Sequence, residues 1–287
     1  MISIVICSID PARLRRVQAN IETTVGVPYE VVAIDNRVRS LGLCEAYNEG
    51  AQKARFDLIC FLHEDVEFLE RDWGAALVSH FRNDPKLGLV GLAGSRYKSG
   101  QPSGWSNGWG DDICVHIWHG QPGDMVKTYE KPADLSHEPL VRVAALDGVF
   151  LCSPKNVWNE IRFSSALSGF HFYDVDYSLR VAQRYHVAVV YDISLLHFSL
   201  GSFSNDWARQ ALSYANKAPV ALPYHVLNEL TAADYRMRER ATVRYWLKLL
   251  RKNKLPLLLR WRWLANSGCL RFPGLWWLAL KFAVKSK

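Results

Sequence analysis

The chain has 287 residues, of which 49% are hydrophobic and 22% are charged. This composition is typical of a folded globular protein and excludes a globally disordered chain. The net charge of +7 indicates an anionic partner, but the charge is unevenly distributed. Residues 236–287 contain fourteen Lys or Arg and one acid and carry +13, so residues 1–235 carry −6. An acidic main body argues against a nucleic-acid enzyme, and we expect no nucleic-acid partner.

The cysteines and the apolar runs indicate the compartment. The six cysteines form neither a CxxC motif nor a His/Cys cluster with zinc spacing. The apolar run at residues 1–7 is too short for a signal peptide, and no run reaches the roughly 18–20 apolar residues of a spanning helix. The sequence therefore predicts a cytoplasmic protein with reduced thiols.

Strands and helices alternate in the first half of the sequence. Apolar runs at residues 2–7, 29–34, 57–62 and 87–91 predict buried strands, and helical spacing over residues 11–24, 43–54 and 73–83 separates them. Residues 141–152, 174–184 and 187–191 predict a further strand, helix and strand. The alternation predicts an α/β fold with a mostly parallel sheet covered by helices on both faces.

Two segments depart from this alternation. Residues from about 95 to 140 are rich in Gly, Pro, Ser, Trp and His, and predict long loops or an irregular insertion at the sheet edge. After residue 236, five of the 11 tryptophans lie among Lys and Arg in short helices. We therefore expect a main domain over residues 1–210, a connecting segment over 211–235 and a basic helical tail over 236–287.

Polar residues follow the first three predicted strands. The groups are Cys7-Ser8-Ile9-Asp10, Asp35-Asn36-Arg37 and His63-Glu64-Asp65. Because ligands of parallel α/β sheets bind beyond the carboxyl ends of the strands, these groups predict a shared crevice. The sequence has no GxGxxG motif after the first strand and no P-loop motif, which disfavours a dinucleotide site and excludes a P-loop.

Six short motifs occur once each, in a characteristic order and spacing, over the first 200 or so residues. They are Ile34-Asp35-Asn36, Tyr47-Asn48-Glu49-Gly50, Phe61-Leu62-His63-Glu64-Asp65-Val66, Leu146-Asp147-Gly148, Tyr173-Asp174-Val175-Asp176-Tyr177-Ser178-Leu179-Arg180 and His197-Phe198-Ser199. In this order they resemble family 2 glycosyltransferases, in particular a bacterial subgroup in which HED replaces the usual acidic triplet. The resemblance implies the GT-A fold, a nucleotide-diphospho-sugar donor and a divalent metal, Mn²⁺ or Mg²⁺.

The resemblance also implies a metal site. Asp65 would be a metal ligand, Glu64 would orient the ribose or the waters of the metal, and His197 would reach the metal or the diphosphate. A bound cation would neutralise the diphosphate as it leaves. A neutral imidazole is a poor ligand for hard Mg²⁺, so we expect His63 to form hydrogen bonds instead. The alternatives are a solvated acidic cluster at a strand end and a structural His197.

The resemblance also implies which residues contact the nucleotide and the sugar. Asp35 resembles the family residue that meets the nucleobase or ribose, but an Asx turn shared with Asn36 would end a strand similarly. Ser8 and Arg37 are further candidates on the nucleotide side. Asp147, beside Gly148, occupies the position where the family binds donor sugar or acceptor, and a glycine permits close backbone approach.

Inverting transfer requires a general base for the acceptor hydroxyl. The resemblance assigns this role to Asp174, although Tyr173 stands where the family motif has Glu, and Asp176 would cap or orient. The alternative is that both acids only stabilise the first turn of a helix. The predicted function is an inverting, metal-dependent glycosyltransferase. The alternative is a nucleotide-sugar-binding scaffold that has lost catalysis.

Aromatic residues suggest where the acceptor and a membrane would bind. Trp105, Trp109, Trp118, His116 and His119 would stack on a sugar or pack the loops. The basic, Trp-rich tail suits an anionic membrane surface, and a packed subdomain or an oligomer contact is the alternative. We therefore expect a glycan or lipid-linked acceptor in surface polysaccharide assembly, with peripheral attachment at the inner face of the cell membrane.

Overall fold

Helices and strands alternate through the first half of the chain in the computed structural model, which describes residues 1–121, 123–199, 201, 203–253 and 255–284. The strands are β1 (Ile2–Ser8), β2 (Tyr29–Asp35), β3 (Leu58–Leu62), β4 (Val66–Phe68), β5 (Leu87–Gly91), β6 (Ala93–Ser95), β7 (Tyr97–Lys98), β8 (Ile113–Gln121), β9 (Asp124–Glu130), β10 (Leu140–Arg142), β11 (Ala145–Leu146), β12 (Phe150–Pro154), β13 (His186–Val190), β14 (Leu195–His197) and β15 (Tyr224–His225). The helices are α1 (Pro11–Thr24), α2 (Leu43–Lys53), α3 (Trp73–Asn83), α4 (Lys155–Glu160), α5 (Tyr173–Val181), α6 (Asn205–Ala215), α7 (Ala232–Lys252), α8 (Leu257–Asn266) and α9 (Trp276–Val284).

The main sheet has the strand order β10-β13-β5-β12-β3-β1-β2. Strand β1 runs parallel to both β2 and β3, with Ser8 opposite Asp35 and Ile6 opposite Leu62, so the carboxyl ends of these strands lie at one edge. Strand β13 is also parallel to β5, whereas β12 and β10 run antiparallel to their neighbours. The α/β class is confirmed, and the sheet is mixed where β10 and β12 enter it.

A second sheet holds the segment for which composition predicted long loops. Its order is β11-β6-β8-β14-β4, and β9 pairs with β8 as a hairpin. The expectation of an irregular insertion over residues 95–140 is therefore wrong for β8 and β9. Apolar residues at alternate positions along β8, Ile113, Val115 and Ile117, give the period-2 signal that the Gly and Pro content obscured. In this sheet His197 of β14 lies opposite both Val66 of β4 and His119 of β8.

Helices cover both faces of the main sheet, as the apolar strands predict. Because side chains alternate along a strand, Ile4 packs in a cluster with α1 and α3, whereas its neighbour Val5 packs in a cluster with α2 and α5. Tyr47 of α2 and Tyr177 of α5 are fully buried in the second cluster. This two-sided burial fixes the strand ends that carry the polar groups.

The basic tail is folded onto the main domain. Helix α7 begins with a capping box formed by Thr231 and Asp234. Helices α7, α8 and α9 share a hydrophobic cluster with α5 and α6, in which Trp246 stacks on Trp207 with 4.5 Å between the ring centroids. None of the described helices is long and apolar enough to cross a membrane. Residues 254 and 285–287 of the predicted tail lie outside the described residues.

Candidate active site

Three side chains from two strand ends form a compact cluster. His63 and Asp65 follow β3, His197 ends β14, and one potential ligand atom from each lies within 4.8 Å of the others. Asp65 Oδ1 is 3.4 Å from His197 Nε2 and 3.9 Å from His63 Nδ1. Burial favours the neutral form of Asp65, but its hydrogen bond to His197 and the two nearby imidazoles outweigh burial and lower its pKa to about 2. The carboxylate is therefore ionised at neutral pH.

Hydrogen bonding fixes the tautomer of His63. Its Nε2 lies 2.9 Å from the Tyr173 hydroxyl, which donates its single proton to the carbonyl oxygen of Gly148 at 3.0 Å. Since that proton is used, Tyr173 Oη accepts from His63 Nε2–H. Burial and the neighbouring His197 lower the pKa of His63, so its imidazole is neutral and its Nδ1, which faces Asp65, carries the lone pair. The expected hydrogen bond of His63 is thus present, and it also leaves one ring nitrogen available.

The glycine of the Leu146-Asp147-Gly148 motif is required by this contact. A Cβ atom on Gly148 would lie 2.0 Å from Tyr173 Oη, far inside van der Waals distance. Any larger residue would push Tyr173 away from His63.

Asp174 lies in the first turn of α5, beside Asp147. Its carboxylate accepts hydrogen bonds from the backbone N–H groups of Gly148, at 3.0 Å, and Val175, at 2.8 Å. Burial and the negative charge of Asp147 nevertheless raise the pKa of Asp174 to about 7. A carboxyl group that titrates near neutral pH is suited to accept a proton from a hydroxyl.

The neighbours of Asp174 are held in other interactions. Asp147 accepts hydrogen bonds from Trp105 Nε1, at 2.7 Å, and from the N–H of Val149, at 2.9 Å. Asp176 is buried and paired with Arg180 at 2.9 Å. Of the two acids in the motif, Asp174 is therefore the one with a carboxylate available at a cavity.

A cavity of about 560 Å³ brings these groups together. His63, Asp147, Asp174 and His197 line it, although they come from four separate segments of the sequence. His119 of β8 also lines it, with its ring centroid 5.8 Å from that of His197. His63 and His197 of the cluster thus share one cavity with the carboxylate of Asp174, whereas Asp65 itself lies outside the lining.

Ser8 and Glu64 join the ends of β1 and β3. Glu64 is buried, and its Oε2 accepts hydrogen bonds from Ser8 Oγ at 2.6 Å and from the N–H groups of Ile9 and Asp10 at 3.2 Å. Three donors on one carboxylate oxygen fix the loop after β1. Both residues lie outside the lining of the cavity.

Asp35, Asn36 and Arg37 lie at the end of β2, also outside that lining. Arg37 forms a bidentate ion pair with Asp35, at 2.6 and 2.9 Å, and lowers the pKa of Asp35 to about 2. The alternative Asx turn is present, since the N–H of Arg37 also donates to Asp35 at 3.1 Å. Asn36 is buried, and its side chain bonds both backbone groups of Leu41.

The aromatic residues divide into two groups. Trp105 and His119 line the cavity, whereas Trp109, Trp118 and His116 do not. Sequence reasoning missed the cavity residues Trp207, Tyr245 and Trp246, because no motif marks them. The density of tryptophan in the tail, which predicts either a membrane contact or a packed subdomain, is the available signal for Trp246.

A family profile supplies the remaining evidence on identity. The glycosyltransferase-like family matches residues 3–219, about three quarters of the chain. The chain belongs to this family. The predicted glycosyltransferase class is thereby confirmed, whereas membership of the subgroup with the HED triplet stays a prediction. No curated protein matches this glycosyltransferase.

Solved structures share the fold of this glycosyltransferase at low identity. Residues 1–349 of TarS from S. aureus superpose with a TM-score of 0.53 and 12% identity, over 95% of this chain and 81% of that one. The TarS complex with UDP-GlcNAc gives 0.51 and 11%, over 92% and 79%. GalNAc-T7 with UDP, GalNAc and Mn²⁺ gives 0.52 and 14%, over 75% of this chain, which spans only 48% of that structure. These likenesses confirm the predicted GT-A fold.

Proposed function

We propose that this glycosyltransferase transfers a sugar, with inversion, from a nucleotide-diphospho-sugar to an acceptor hydroxyl. The observation that carries the proposal is the shared cavity, in which Asp174 faces the same space as His63 and His197, the two imidazoles that cluster with Asp65. The TarS and GalNAc-T7 structures, which contain UDP-GlcNAc and UDP, support a nucleotide-linked donor.

His63, Asp65 and His197 would hold a divalent cation, Mn²⁺ or Mg²⁺. The donor set fits, because it offers one ionised carboxylate and an unprotonated Nδ1 on His63. Two imidazoles favour Mn²⁺ over the harder Mg²⁺. When bound, the cation would neutralise the negative charge of the departing diphosphate.

Asp174 acts as the general base in this proposal. The acceptor hydroxyl donates its proton to the Asp174 carboxylate as its oxygen attacks the anomeric carbon, and the nucleoside diphosphate leaves with the electrons of the broken bond. The N–H groups of Gly148 and Val175 fix the orientation of the carboxylate. Asp147, held by Trp105, keeps the basicity of Asp174 high through its charge.

The nucleotide binds beyond the ends of β1, β2 and β3. Asp35 and Arg37 are exposed there and available to the base or ribose. Ser8, Glu64 and Asn36 shape the loops that would receive the nucleotide, since their side chains already bond within those loops. The parallel register of β1 and β2 places Asp35 opposite Ser8 and supports a common binding edge.

The acceptor is a glycan or a lipid-linked sugar at an anionic membrane surface in this proposal. Eight of the eighteen exposed large hydrophobic side chains among the described residues lie between residues 257 and 284. Leu257, Leu258 and Trp261 follow helical spacing on α8, and Trp277 and Leu280 do so on α9. Exposed apolar residues beside exposed Lys and Arg suit insertion at a headgroup layer, and would place the protein at the inner face of the cell membrane.

Donor hydrolysis tests the catalytic proposal without knowledge of the acceptor. UDP- and GDP-sugars are incubated with Mn²⁺, and release of the nucleoside diphosphate is measured for the wild type, Asp174→Asn and the matched variant Asp176→Asn. We expect turnover of one donor that falls by a factor of 10² to 10⁴ in Asp174→Asn, as for loss of a general base. Donor binding without turnover, unaffected by Asp174→Asn, would instead indicate a scaffold that has lost catalysis.

A further inference from the structure

One part of the cavity, here called its aromatic end, is lined mainly by aromatic side chains and adjoins Asp147, which accepts a hydrogen bond from Trp105. Trp105, Phe203, Trp207, Tyr245, Trp246 and Leu249 line this end. Tyr245, Trp246 and Leu249 belong to α7, whereas the matched family domain ends at residue 219. Part of the wall of the catalytic cavity therefore comes from a segment outside the family domain.

The aromatic wall is rigidly packed. Trp246 is 2% exposed, stacks on Trp207 at 4.5 Å and meets the edge of Phe203 at 5.3 Å. Its Nε1 donates to the carbonyl oxygen of Ser106 at 3.1 Å. These contacts hold the indole in one orientation beside the cavity.

Helix α7 also holds the loop that carries Trp105. Arg238 forms a buried ion pair with Asp112, with Nε 2.9 Å from Oδ2, and Thr242 donates to the carbonyl oxygen of Asn107 at 3.0 Å. The carboxylate of Glu239 accepts a hydrogen bond from Tyr97 Oη at 2.9 Å. It also accepts from the backbone N–H of Gly100 at 3.2 Å and from Gln101 Nε2 at 2.6 Å. The same loop carries Trp105, which donates a hydrogen bond to Asp147. Helix α7 therefore supports its own part of the aromatic end and also the part that contains Trp105.

Gly108 in that loop allows the close approach to α7. A Cβ atom on Gly108, where φ is +67°, would lie 2.4 Å from Cβ of Tyr245. A Cβ atom on Gly104 would lie 3.4 Å from the ring of Trp246. The loop and the helix thus close on each other as one surface.

We propose that Tyr245 and Leu249, with Trp246 behind them, form the acceptor subsite and that the acceptor places a sugar ring against this wall. The inference rests on the proposed function, because the reacting hydroxyl must lie at Asp174. The group that carries this hydroxyl then fills the adjoining space, which is aromatic, and a cavity of about 560 Å³ suits a small ligand. A pyranose ring presents C–H groups that lie favourably on the negative face of an aromatic ring.

The test separates acceptor binding from donor chemistry. Tyr245→Ala and Leu249→Ala alter the wall at partly exposed positions, and Leu270→Ala, at a side chain that is 80% exposed, is the matched control. Phenyl β-glycosides of glucose, galactose, mannose and N-acetylglucosamine are the probes, added with UDP and Mg²⁺. Saturation-transfer NMR measures their binding, and nucleoside diphosphate release measures donor hydrolysis in the same preparations.

We expect at least one glycoside to bind through its pyranose protons. Its affinity should fall at least fivefold in Tyr245→Ala and Leu249→Ala, whereas Leu270→Ala should match the wild type in both glycoside binding and donor hydrolysis. If no glycoside binds, or if both wall variants bind as the wild type does, the acceptor subsite is elsewhere. Donor hydrolysis that persists in that case leaves the proposed function standing. Absence of donor hydrolysis contradicts the proposed function. The glycoside measurements then still show whether the aromatic wall binds a sugar ring.

Discussion

The imidazole of His63 and the hydroxyl of Tyr173 lie 2.9 Å apart and join the end of β3 to the first turn of α5. Through this contact the cluster around Asp65 and the Asp174 carboxylate share one hydrogen-bonded support. In the motif that this chain resembles, Glu stands at the position of Tyr173. A phenol supplies what a carboxylate does not, a donor for the Gly148 carbonyl oxygen in addition to an acceptor for His63 Nε2–H.

Replacing Tyr173 with Phe should therefore damage catalysis through the position of His63. The change leaves His63 Nε2–H and the carbonyl oxygen of Gly148 without partners, and a buried group left unsatisfied costs about 1–3 kcal/mol. We expect kcat for donor hydrolysis to fall by roughly tenfold, in line with about 1.4 kcal/mol per factor of ten. Urea unfolding and steady-state kinetics measure the two effects.

Tyr177→Phe is the matched control for this prediction. Tyr177 lies on the same helix and is fully buried, and its hydroxyl donates to Ser153 Oγ at 3.2 Å in the core, away from the cavity. Its loss should lower the free energy of unfolding without changing kcat. Equal losses of kcat in the two variants would contradict a specific role for the contact between His63 and Tyr173.

Local patterns predict the strand ends well but not what meets them. Apolar runs with β-branched residues place β1, β2 and β3, and their parallel order predicts that Ser8, Asp35 and Glu64 lie at one edge of the sheet. The contact between His63 and Tyr173 spans 110 residues, and no sequence period encodes it. A motif can identify each partner, but only tertiary packing sets their distance.

The role of α7 shows a second limit of the sequence. Hydrophobic spacing predicts that a helix buries Trp246, but the pattern does not specify the surface on which it packs. The partner is the stack of Trp207 and Phe203, from a segment about 40 residues earlier. The high Lys and Arg content indicates a surface function for the tail, and it gives no sign that one face of α7 also lines the cavity.

The rate of donor hydrolysis should rise with pH through about 7. Burial and the charge of Asp147 raise the pKa of Asp174 to about 7, and a general base acts only when deprotonated. Below this pH the protonated carboxyl group cannot accept a proton, so kcat should fall about tenfold per pH unit. A pH profile between 5 and 9 measures it, and a flat profile across this range would exclude Asp174 as the base.

Stability should depend on pH in the sense opposite to that of most carboxyl groups. The pKa of Asp174 is raised from 3.8 to about 7 in the folded state, so the folded protein binds the proton more tightly than the unfolded chain does. The raised pKa means that ionisation of Asp174 lowers the free energy of unfolding. This destabilisation is absent below about pH 4, grows by at most about 1.4 kcal/mol per pH unit, and is complete above about pH 7. Asp174→Asn, which cannot ionise, should gain stability over the wild type as pH rises.

Urea unfolding at pH 4.5, 6 and 8 measures this gain. Asp35→Asn is the control, because Arg37 lowers the pKa of Asp35 and its removal should give no stability gain that increases with pH. A difference between Asp174→Asn and the wild type that stays constant over the three pH values would show that the folded-state pKa of Asp174 is not raised.

Binding of Mn²⁺ should require the cluster at the ends of β3 and β14. Asp65→Asn removes the ionised ligand, and His197→Ala removes one imidazole. Each variant should therefore raise the Kd for Mn²⁺, measured by calorimetry, at least tenfold. His186→Ala is the control, because His186 pairs with Asp84 at 2.8 Å in a comparable His–Asp contact away from the cavity. Binding of Mn²⁺ that all three variants share equally would place the cation elsewhere.

Binding to anionic vesicles should depend on the exposed faces of α8 and α9. Trp261 is 52% and Trp277 67% exposed, and burying such an aromatic side chain in a headgroup layer contributes on the order of 1–3 kcal/mol. The double variant Trp261→Ser with Trp277→Ser should therefore lose most of its flotation with vesicles of phosphatidylglycerol and phosphatidylcholine, and keep its donor hydrolysis.

The matched control is Met125→Ser with Val126→Ser on β9, whose exposed apolar side chains lie outside the tail. Equal flotation of the two double variants would show that these faces do not contact lipid. High salt should weaken binding of the wild type, because the nine exposed Lys and Arg among the described residues from 236 onward contribute through charge.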